Sequence, residues 1–197
     1  MRKLVSRAFV LWLPLVVALT GVFGFIYIAV QQNYRQSVND PQIQMAEDDA
    51  LRLAQGEQPA SLVPRGISPI DLRTSLATWI AVYNSSGMPL ESSAVLDGAP
   101  PRLPSGLFDT NTWVPHKIWQ APSGVETRVT WQPRPDIRQA VVLVQFKTPI
   151  SVGYVAVGRS MHLIEKRISD LTYHAAVAWS ATALASLFVI SAILMLG

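Results

Sequence analysis

The sequence predicts an α+β protein in which two transmembrane helices flank a domain with one antiparallel sheet and long N- and C-terminal helices. Half of the 197 residues are hydrophobic and only 15% are charged, and this apolar excess lies in two uncharged runs near the chain ends. Between these runs, short segments rich in aromatic and branched residues alternate with turn residues, which predicts the sheet.

The two uncharged runs cover residues 8–30 and 175–196. Because a helix rises about 1.5 Å per residue, each run is long enough to cross a hydrocarbon core of about 30 Å. The main alternative for the first run is a cleaved signal peptide, since Arg2, Lys3 and Arg7 precede it. The run is longer than the usual signal-peptide core of about 7–15 residues and no A-x-A cleavage site follows it, so we expect an uncleaved anchor.

The distribution of charge predicts the orientation. All 13 acidic residues lie between Asp40 and Asp170, and this stretch with its flank from Arg35 holds 13 basic residues, so the net charge of +3 comes from the leader at residues 1–7. Positive flanks stay in the cytoplasm, which makes residues 31–174 an extracytoplasmic domain, periplasmic or extracellular, anchored in the cell (inner) membrane. The basic residues form no stripe with interleaved aromatics, so nucleic-acid binding is not predicted.

The predicted domain begins and ends with helices. Asn39, Asp40 and Pro41 are a helix start signal, and Gly56 is a stop signal. The intervening residues place one apolar face at helical spacing: Ile43, Ala46, Ala50, Leu53 and Ala54. After the sheet, a helix is predicted to run from residue 161 to residue 196, without a break into the second membrane span.

Five strands are predicted between these helices. Residues 79–83 and 88–95 flank a turn, so they form a hairpin in which Pro89 marks an edge or a strand start. The three later strands have short linkers and form an antiparallel meander: residues 126–131, 137–146 and 152–159. The connections contain a loop at residues 57–69 and two short predicted helices, at residues 71–76 and 107–113.

Two strings resemble a known family. WIAVYNSSGMPLESS, at residues 79–93, is similar to the first strand pair of PAS-like extracytoplasmic sensor domains, the PDC or Cache type of bacterial membrane receptors and sensor histidine kinases. GYVAVGRS followed by MHLIEKR, at residues 153–167, is similar to their last strand and exit helix. The resemblance covers residues 33–173 and implies a sensor whose sheet cups a small ligand.

Such receptors continue into a cytoplasmic signalling module, whereas this sequence stops at Gly197. We therefore expect a sensor-like binding module that lies in membrane lipid and acts through another membrane protein or as a homodimer. The alternatives are a structural or assembly subunit of a cell-envelope complex, and the front end of a longer receptor.

No motif predicts an enzyme or a cofactor. His116, His162 and His174 lack metal-ligand spacing, there is no cysteine, and neither nucleophile-elbow nor phosphate-loop nor dinucleotide patterns occur. The acidic residues 47–49 are expected to be the solvated face of a helix rather than a cation site.

Arg138 and Arg159 are the predicted ligand-binding residues. They come to the same end of a strand hairpin, and two close guanidinium groups suit a carboxylate or phosphate, so a small anionic ligand is expected. A slip of one residue in register decides whether the two side chains share a face. The alternative is that they are exposed arginines that aid solubility.

The second span carries a stripe of small residues at a spacing of four: Ala178, Thr182 and Ser186, with Ala181 and Ala185 beside them. Small residues let helix backbones approach in lipid, so this stripe is predicted to pack against another helix. Simple tolerance of alanine in a spanning helix is the alternative. Trp12 and Trp179, near the span ends, are expected to anchor the helices at the membrane interface.

Overall fold

The computed structural model describes residues 2–37, 40–63, 66, 68–109, 118–121 and 124–196. The chain divides into two compact units. One consists of Met1–Arg35 and Ile164–Gly197, and the other of Gln36–Leu163.

The first unit is built from two long helices, α1 (Arg2–Ser37) and α4 (His162–Leu196). Within them, Ser6–Tyr34 and His162–Leu196 are long and apolar enough to cross a membrane. In the most apolar stretch of each helix, the share buried inside the protein is only 0% and 6%, respectively. A core helix of a soluble domain, in contrast, buries most of its apolar surface. The predicted pair of apolar helices near the two ends is therefore confirmed.

The second unit contains two shorter helices and eight strands in its described part. The helices are α2 (Asp40–Ala54) and α3 (Pro59–Leu62). The strands are β1 (Ile70–Asp71), β2 (Trp79–Asn84), β3 (Pro89–Ser92), β4 (Ala94–Val95), β5 (Ile118–Ala121), β6 (Gly124–Arg134), β7 (Ile137–Lys147) and β8 (Val152–Ser160). Six of them form an antiparallel sheet in the order β3-β2-β8-β7-β6-β5, and β1 pairs with β4 in parallel.

The predicted hairpin is present as β2 and β3. The side-chain oxygen of Asn84 accepts hydrogen bonds from the backbone N–H groups of Ser86 and Met88, which closes the turn. Gly87 adopts a φ of +79°, a conformation that favours glycine. Pro89 begins β3 at the edge of the sheet, as predicted. Proline lacks a backbone N–H, and at an edge this removes no hydrogen bond between strands.

The meander is also confirmed, with longer strands than predicted. β6 continues to Arg134 because the turn into β7 needs only two residues, Pro135 and Asp136. The register places Val142 of β7 between Arg128 of β6 and Val157 of β8. The sequence analysis missed β5, a short strand that pairs with the first residues of β6.

Each face of the sheet has its own core. On one face, Ala46, Ala50 and Leu53 of α2 pack with alternate sheet residues: Val82, Val142, Val144, Phe146, Val155 and Val157. The predicted apolar face of α2 is thereby confirmed. On the other face, the segment at residues 94–108 covers a second set: Trp79, Ala81, Tyr83, Trp131, Val141, Leu143, Tyr154 and Ala156.

The helix predicted at residues 71–76 is wrong. Asp71 ends strand β1, and Leu72 donates its N–H to the carbonyl of Val95 in the neighbouring chain segment. The Asp71 carboxylate then accepts the N–H of Arg73, and its carbonyl accepts that of Ser75, which makes a turn. An aspartate that bonds its own downstream backbone competes with helix formation.

The connections differ from the prediction in two further places. Where a helix was predicted at residues 107–113, the structure has a 3₁₀ turn at Ser105–Leu107. Residues 110–113 lie outside the described residues. The predicted loop at residues 57–69 contains α3, whose first residue is Pro59, a position in which proline is favourable.

Candidate functional site

Arg138 and Arg159 lie on the same face of the sheet. Arg159 pairs directly with Ala140, and Arg138 lies two residues before Ala140 on the same strand. Side chains of opposed residues point to one face, as do those two apart on a strand, so the register answers the question that the sequence left open. By the same alternation this is the face that α2 covers, because Val142 and Val144 pack there. Anion binding by the two arginines stays a prediction.

An ionic cluster lies between α2 and the sheet. Glu126 and Arg128 of β6 pair with Val144 and Val142, so their side chains point towards the α2 face. Glu126 is only 1% exposed and accepts a hydrogen bond from Nε of Arg128. The sequence analysis missed this pair because a polar residue at alternate strand positions is typical of a solvent face.

Glu47 extends the cluster from the α2 side. Burial, followed by the charge of Glu126 and a hydrogen bond between the two carboxyl groups, raises the pKa of Glu47. Arg128 acts in the opposite direction and Asp48 in the same one. The pKa of Glu47 on α2 therefore responds to the paired charges of Glu126 and Arg128 on the sheet.

Asp49 is buried, which corrects the prediction that residues 47–49 are a solvated helix face. Asp49 is 7% exposed, and its carboxylate accepts a hydrogen bond of 3.0 Å from Nη1 of Arg52. Burial raises the pKa of Asp49 in spite of this partner. Arg52 is shared, because its Nε and Nη2 also donate to the exposed carboxylate of Glu57 at 2.7 and 2.6 Å. The bond to Arg52 lowers the pKa of Glu57.

Gln42 is a further polar residue in the same interface. It lies four residues before Ala46 and seven before Asp49, so the three share a stripe of α2, and it is 0% exposed. Neither amide atom of its side chain has a hydrogen-bond partner in the part of the chain that the structure describes. A buried polar group without a partner lowers the stability of the fold by about 1–3 kcal/mol. An apolar residue in place of Gln42 would therefore hold this end of α2 more firmly on the sheet.

An open groove of about 570 Å³ runs beside α2. Its walls combine aliphatic side chains with two acids and a base: Met45, Asp48, Asp49, Leu51, Arg52, Leu62 and Ile80. Met45 and Leu51 are 36% and 44% exposed, so the groove presents apolar surface to solvent.

On the opposite face of the sheet, three aromatic residues pack together. The ring of Phe108 packs against Tyr83 and Tyr154, with a centroid separation of 5.2 Å in each case. The hydroxyl of Tyr83 donates to the carbonyl of Pro101, and that of Tyr154 donates to the carbonyl of Phe108. These bonds fasten residues 101–108 to the sheet, and burial raises the pKa of Tyr83.

In the other unit, hydrogen bonds join α1 to α4. Nε1 of Trp12 donates to the carbonyl of Ala183 at 2.9 Å and to the hydroxyl of Ser186 at 3.1 Å. Nε1 of Trp179 donates to the hydroxyl of Thr20 at 3.0 Å. Trp12 and Trp179 therefore fasten the two helices to each other, and their role as anchors at the membrane interface stays a prediction.

A third contact shows that the two helices are antiparallel. The hydroxyl groups of Tyr27 and Thr172 are 3.0 Å apart. Residues later in α1 therefore contact residues earlier in α4. Of the predicted packing residues, Ser186 takes part in this helix pair and is partly buried. The others are exposed: Ala178, Ala181, Thr182 and Ala185. Their packing against another helix stays a prediction.

The remaining candidates have ordinary surroundings or lie outside the described residues. Trp79 and Trp131 are 0% and 7% exposed and pack edge to face, as expected of core residues. Within the described residues, no group of three or more histidine or acidic side chains is arranged to hold a metal ion. His162 and His174 are exposed, and His116 lies outside the described residues.

Comparison with known proteins adds no relative. The chain matches no family model, no curated protein and no solved structure.

Proposed function

We propose that the chain is a membrane-anchored, extracytoplasmic sensor module of the PAS-like Cache type, which passes changes in its sheet domain to a partner membrane protein. The proposal rests on one observation above all. β8 and α4 are separated by a single residue, Met161, and the N–H of Met161 is bonded to the carbonyl of Arg138 in β7. A single residue therefore separates the sheet from α4 along the chain.

The position of β8 supports this role. β8 lies between β2 and β7 and pairs with both along its length. Its residues Tyr154, Val155, Ala156 and Val157 are at most 3% exposed, so they contact both cores of the sheet. Because interiors are close-packed, a rearrangement on either face displaces this strand, and α4 is the next element along the chain.

A small anion is the ligand that the two arginines fit best. Arg159 is two residues before Met161, and Arg138 supplies the carbonyl that Met161 bonds. An anion held by both guanidinium groups pulls on the two strand ends that meet at this link. Ligand binding at this place acts directly on the start of α4.

The second candidate function is an assembly subunit that recognises a partner protein through its outer domain. The open groove beside α2 favours it, because Met45 and Leu51 expose apolar surface next to acidic residues. Such a mixed surface is typical of the core and rim of an interface between proteins.

The membrane helices provide a test that separates the two candidates. Because the sequence has no cysteine, Ala181→Cys gives a single exposed cross-linking position on α4. Replacing the exposed residues Ala178 and Thr182 with leucine raises hydrophobicity, so insertion is preserved, and leaves the bond between Trp12 and Ser186 in place. We expect cross-links to co-purifying membrane proteins to fall several-fold.

The matched control replaces Ala176 and Ser180, small exposed residues on another face of α4, with leucine, and it leaves the cross-links unchanged. If the double replacement of Ala178 and Thr182 has no more effect than this control, the small-residue face recognises no partner. The assembly subunit acting through its outer domain then becomes the better account.

A further inference from the structure

We infer that a second ligand site lies between residues 96–104 and the end of β6, and that it takes a small organic anion with an apolar ring, such as an aromatic carboxylate. The site uses neither Arg138 nor Arg159. It therefore stands apart from the proposed function, and each can fail without the other.

The site is an open pocket of about 410 Å³. Its sheet side is formed by Trp131, which belongs to the face of the sheet that α2 does not cover. In the described part of the chain, the lining residues other than Asp97 and Arg102 are apolar, and four of them are prolines. Sites for small molecules are concave, about 300–1,000 Å³ in volume, and mostly apolar with a few polar groups. The pocket has the size and the composition of such a site.

The walls of the pocket are fastened by contacts within the protein. The carbonyl of Pro101 accepts a hydrogen bond of 2.8 Å from the hydroxyl of buried Tyr83, and Leu103 is buried in the core on this face. Backbone hydrogen bonds of 2.8 and 3.2 Å join Leu96 and Ala99 in both directions. Each proline also fixes its own φ, which leaves this stretch of chain few conformations. A preformed site loses little conformational entropy when it binds a ligand.

The acid at the pocket is already paired. The carboxylate of Asp97 accepts a hydrogen bond from Nη2 of Arg134, and Nη1 of Arg73 lies 3.8 Å from its other oxygen. Two guanidinium groups thus face one carboxylate. An anion that enters the pocket therefore meets no uncompensated negative charge from Asp97.

Arg102 is the cation that remains for a ligand. Its side chain is exposed, and within the described residues it makes no hydrogen bond or ion pair. Its neighbours Pro101 and Leu103 are both buried, so the backbone on each side of Arg102 is held in place. A guanidinium group binds a carboxylate through two parallel N–H···O bonds, which orient the bound molecule.

These walls together with one guanidinium group define the class of ligand. A ring buries the apolar walls and packs against the prolines and Trp131, while a carboxylate on the same molecule reaches Arg102. An inorganic anion leaves the apolar walls in contact with water. An uncharged ring leaves the guanidinium group without a partner. An aromatic carboxylate therefore binds more tightly than either of its parts.

The test is a ligand-observed NMR titration of the full chain in detergent micelles with phenylacetate, phenylacetamide and acetate. We expect phenylacetate to bind, and both other probes to bind on the order of tenfold more weakly, because one lacks the charge and the other lacks the ring. Arg102→Gln weakens the binding of phenylacetate by a similar factor, and Arg102→Lys, which keeps the charge, restores part of it. Ala99→Phe fills the pocket from an exposed position and abolishes specific binding.

The matched control is Lys147→Gln, which removes an exposed cation at the other end of the sheet. Lys147 ends β7, whereas Trp131 pairs with Gln139 near the start of that strand. We expect this variant to bind phenylacetate as the unmodified chain does. The signal that survives in Ala99→Phe measures partition of the probe into the micelle.

Equal binding of phenylacetate by the unmodified chain and by Ala99→Phe would overturn the inference, as would an Arg102→Gln variant that binds it without loss. If near-ultraviolet circular dichroism shows that Ala99→Phe disturbs the fold, the two Arg102 variants decide, since they change only an exposed side chain. Arg138→Gln should retain the binding of phenylacetate. Loss of binding in Arg138→Gln, with binding kept in Arg102→Gln, assigns the probe to the arginine pair on the α2 face and refutes the second site.

Discussion

Gly158 offers the most direct test of how the sheet is packed. A Cβ atom added at this residue of β8 lies 2.2 Å from Cε2 and Cζ2 of Trp79, whereas ordinary contacts are 3.4–4 Å. Trp79 is 0% exposed and its Nε1 donates to Oε1 of Gln139, so the indole has no free direction in which to move. Gly158→Ala therefore forces a shift of the indole or of the strand.

The expected magnitude combines two terms. Overpacking a close-packed core costs about 1–3 kcal/mol, and an overlap of this size belongs at the upper end. The φ of Gly158 lies outside the left-handed range, so alanine recovers about 0.4–1 kcal/mol by restricting the unfolded chain. The net loss is about 2 kcal/mol, which corresponds to a fall in Tm of about 8 °C for a domain of this size.

Thermal unfolding of the full chain in detergent, followed by near-ultraviolet circular dichroism, measures this fall. Gly106→Ala is the matched control, because an added Cβ meets nothing within 4 Å there and the φ is also outside the left-handed range. We expect the control to change Tm by less than about 2 °C. If Gly158→Ala is as stable as Gly106→Ala, the indole does not cover Gly158 and the described packing of β2 on β8 is refuted.

Four further outcomes are expected. A reporter that is active only outside the cytoplasm should work when fused after Gly98 and be silent after Gly197, and the reverse pattern would contradict the positive-inside orientation. Residues 33–173 produced without the apolar helices should be soluble with a mixed helix and strand spectrum, which a purely helical spectrum would disprove. Trp12→Phe removes two hydrogen bonds between α1 and α4, each worth about 0.6 kcal/mol in a membrane, so disulfide cross-linking between cysteines introduced in the two helices should decrease. Small dicarboxylates should bind the full chain and lose that binding in Arg138→Gln, and equal heat of binding in the two proteins would remove the anion site.

Much of the local structure could be predicted because its causes are local. The uncharged runs, the Asn84 turn with Gly87, and the alternation along β6 and β8 each act over a few residues, and the structure contains the corresponding helices, hairpin and meander. The element β1 was missed because it depends on a distant partner, residues 94–95, which pair with it. The strand β5 was also missed, although it pairs with the adjacent β6.

The candidate site could be predicted only in part. The sequence indicated that Arg138 and Arg159 meet at one end of two adjacent strands, but the face they share depends on register, which a single residue can reverse. Glu126 and Arg128 could not be identified, because a polar residue at alternate strand positions looks the same whether water or a helix covers it.

The sequence by itself determined the long helices, the hairpin and the meander, and which segments are apolar enough for a membrane, because periodicity and hydropathy are properties of neighbouring residues. Only the tertiary structure decided that α2 buries Gln42, Asp49 and Glu126, and that Trp12 and Trp179 join the two long helices. Local pattern fixes the side of an element on which a group lies. What covers that side depends on contacts between residues far apart in the chain, and those contacts set the burial and charge from which the chemistry of the site follows.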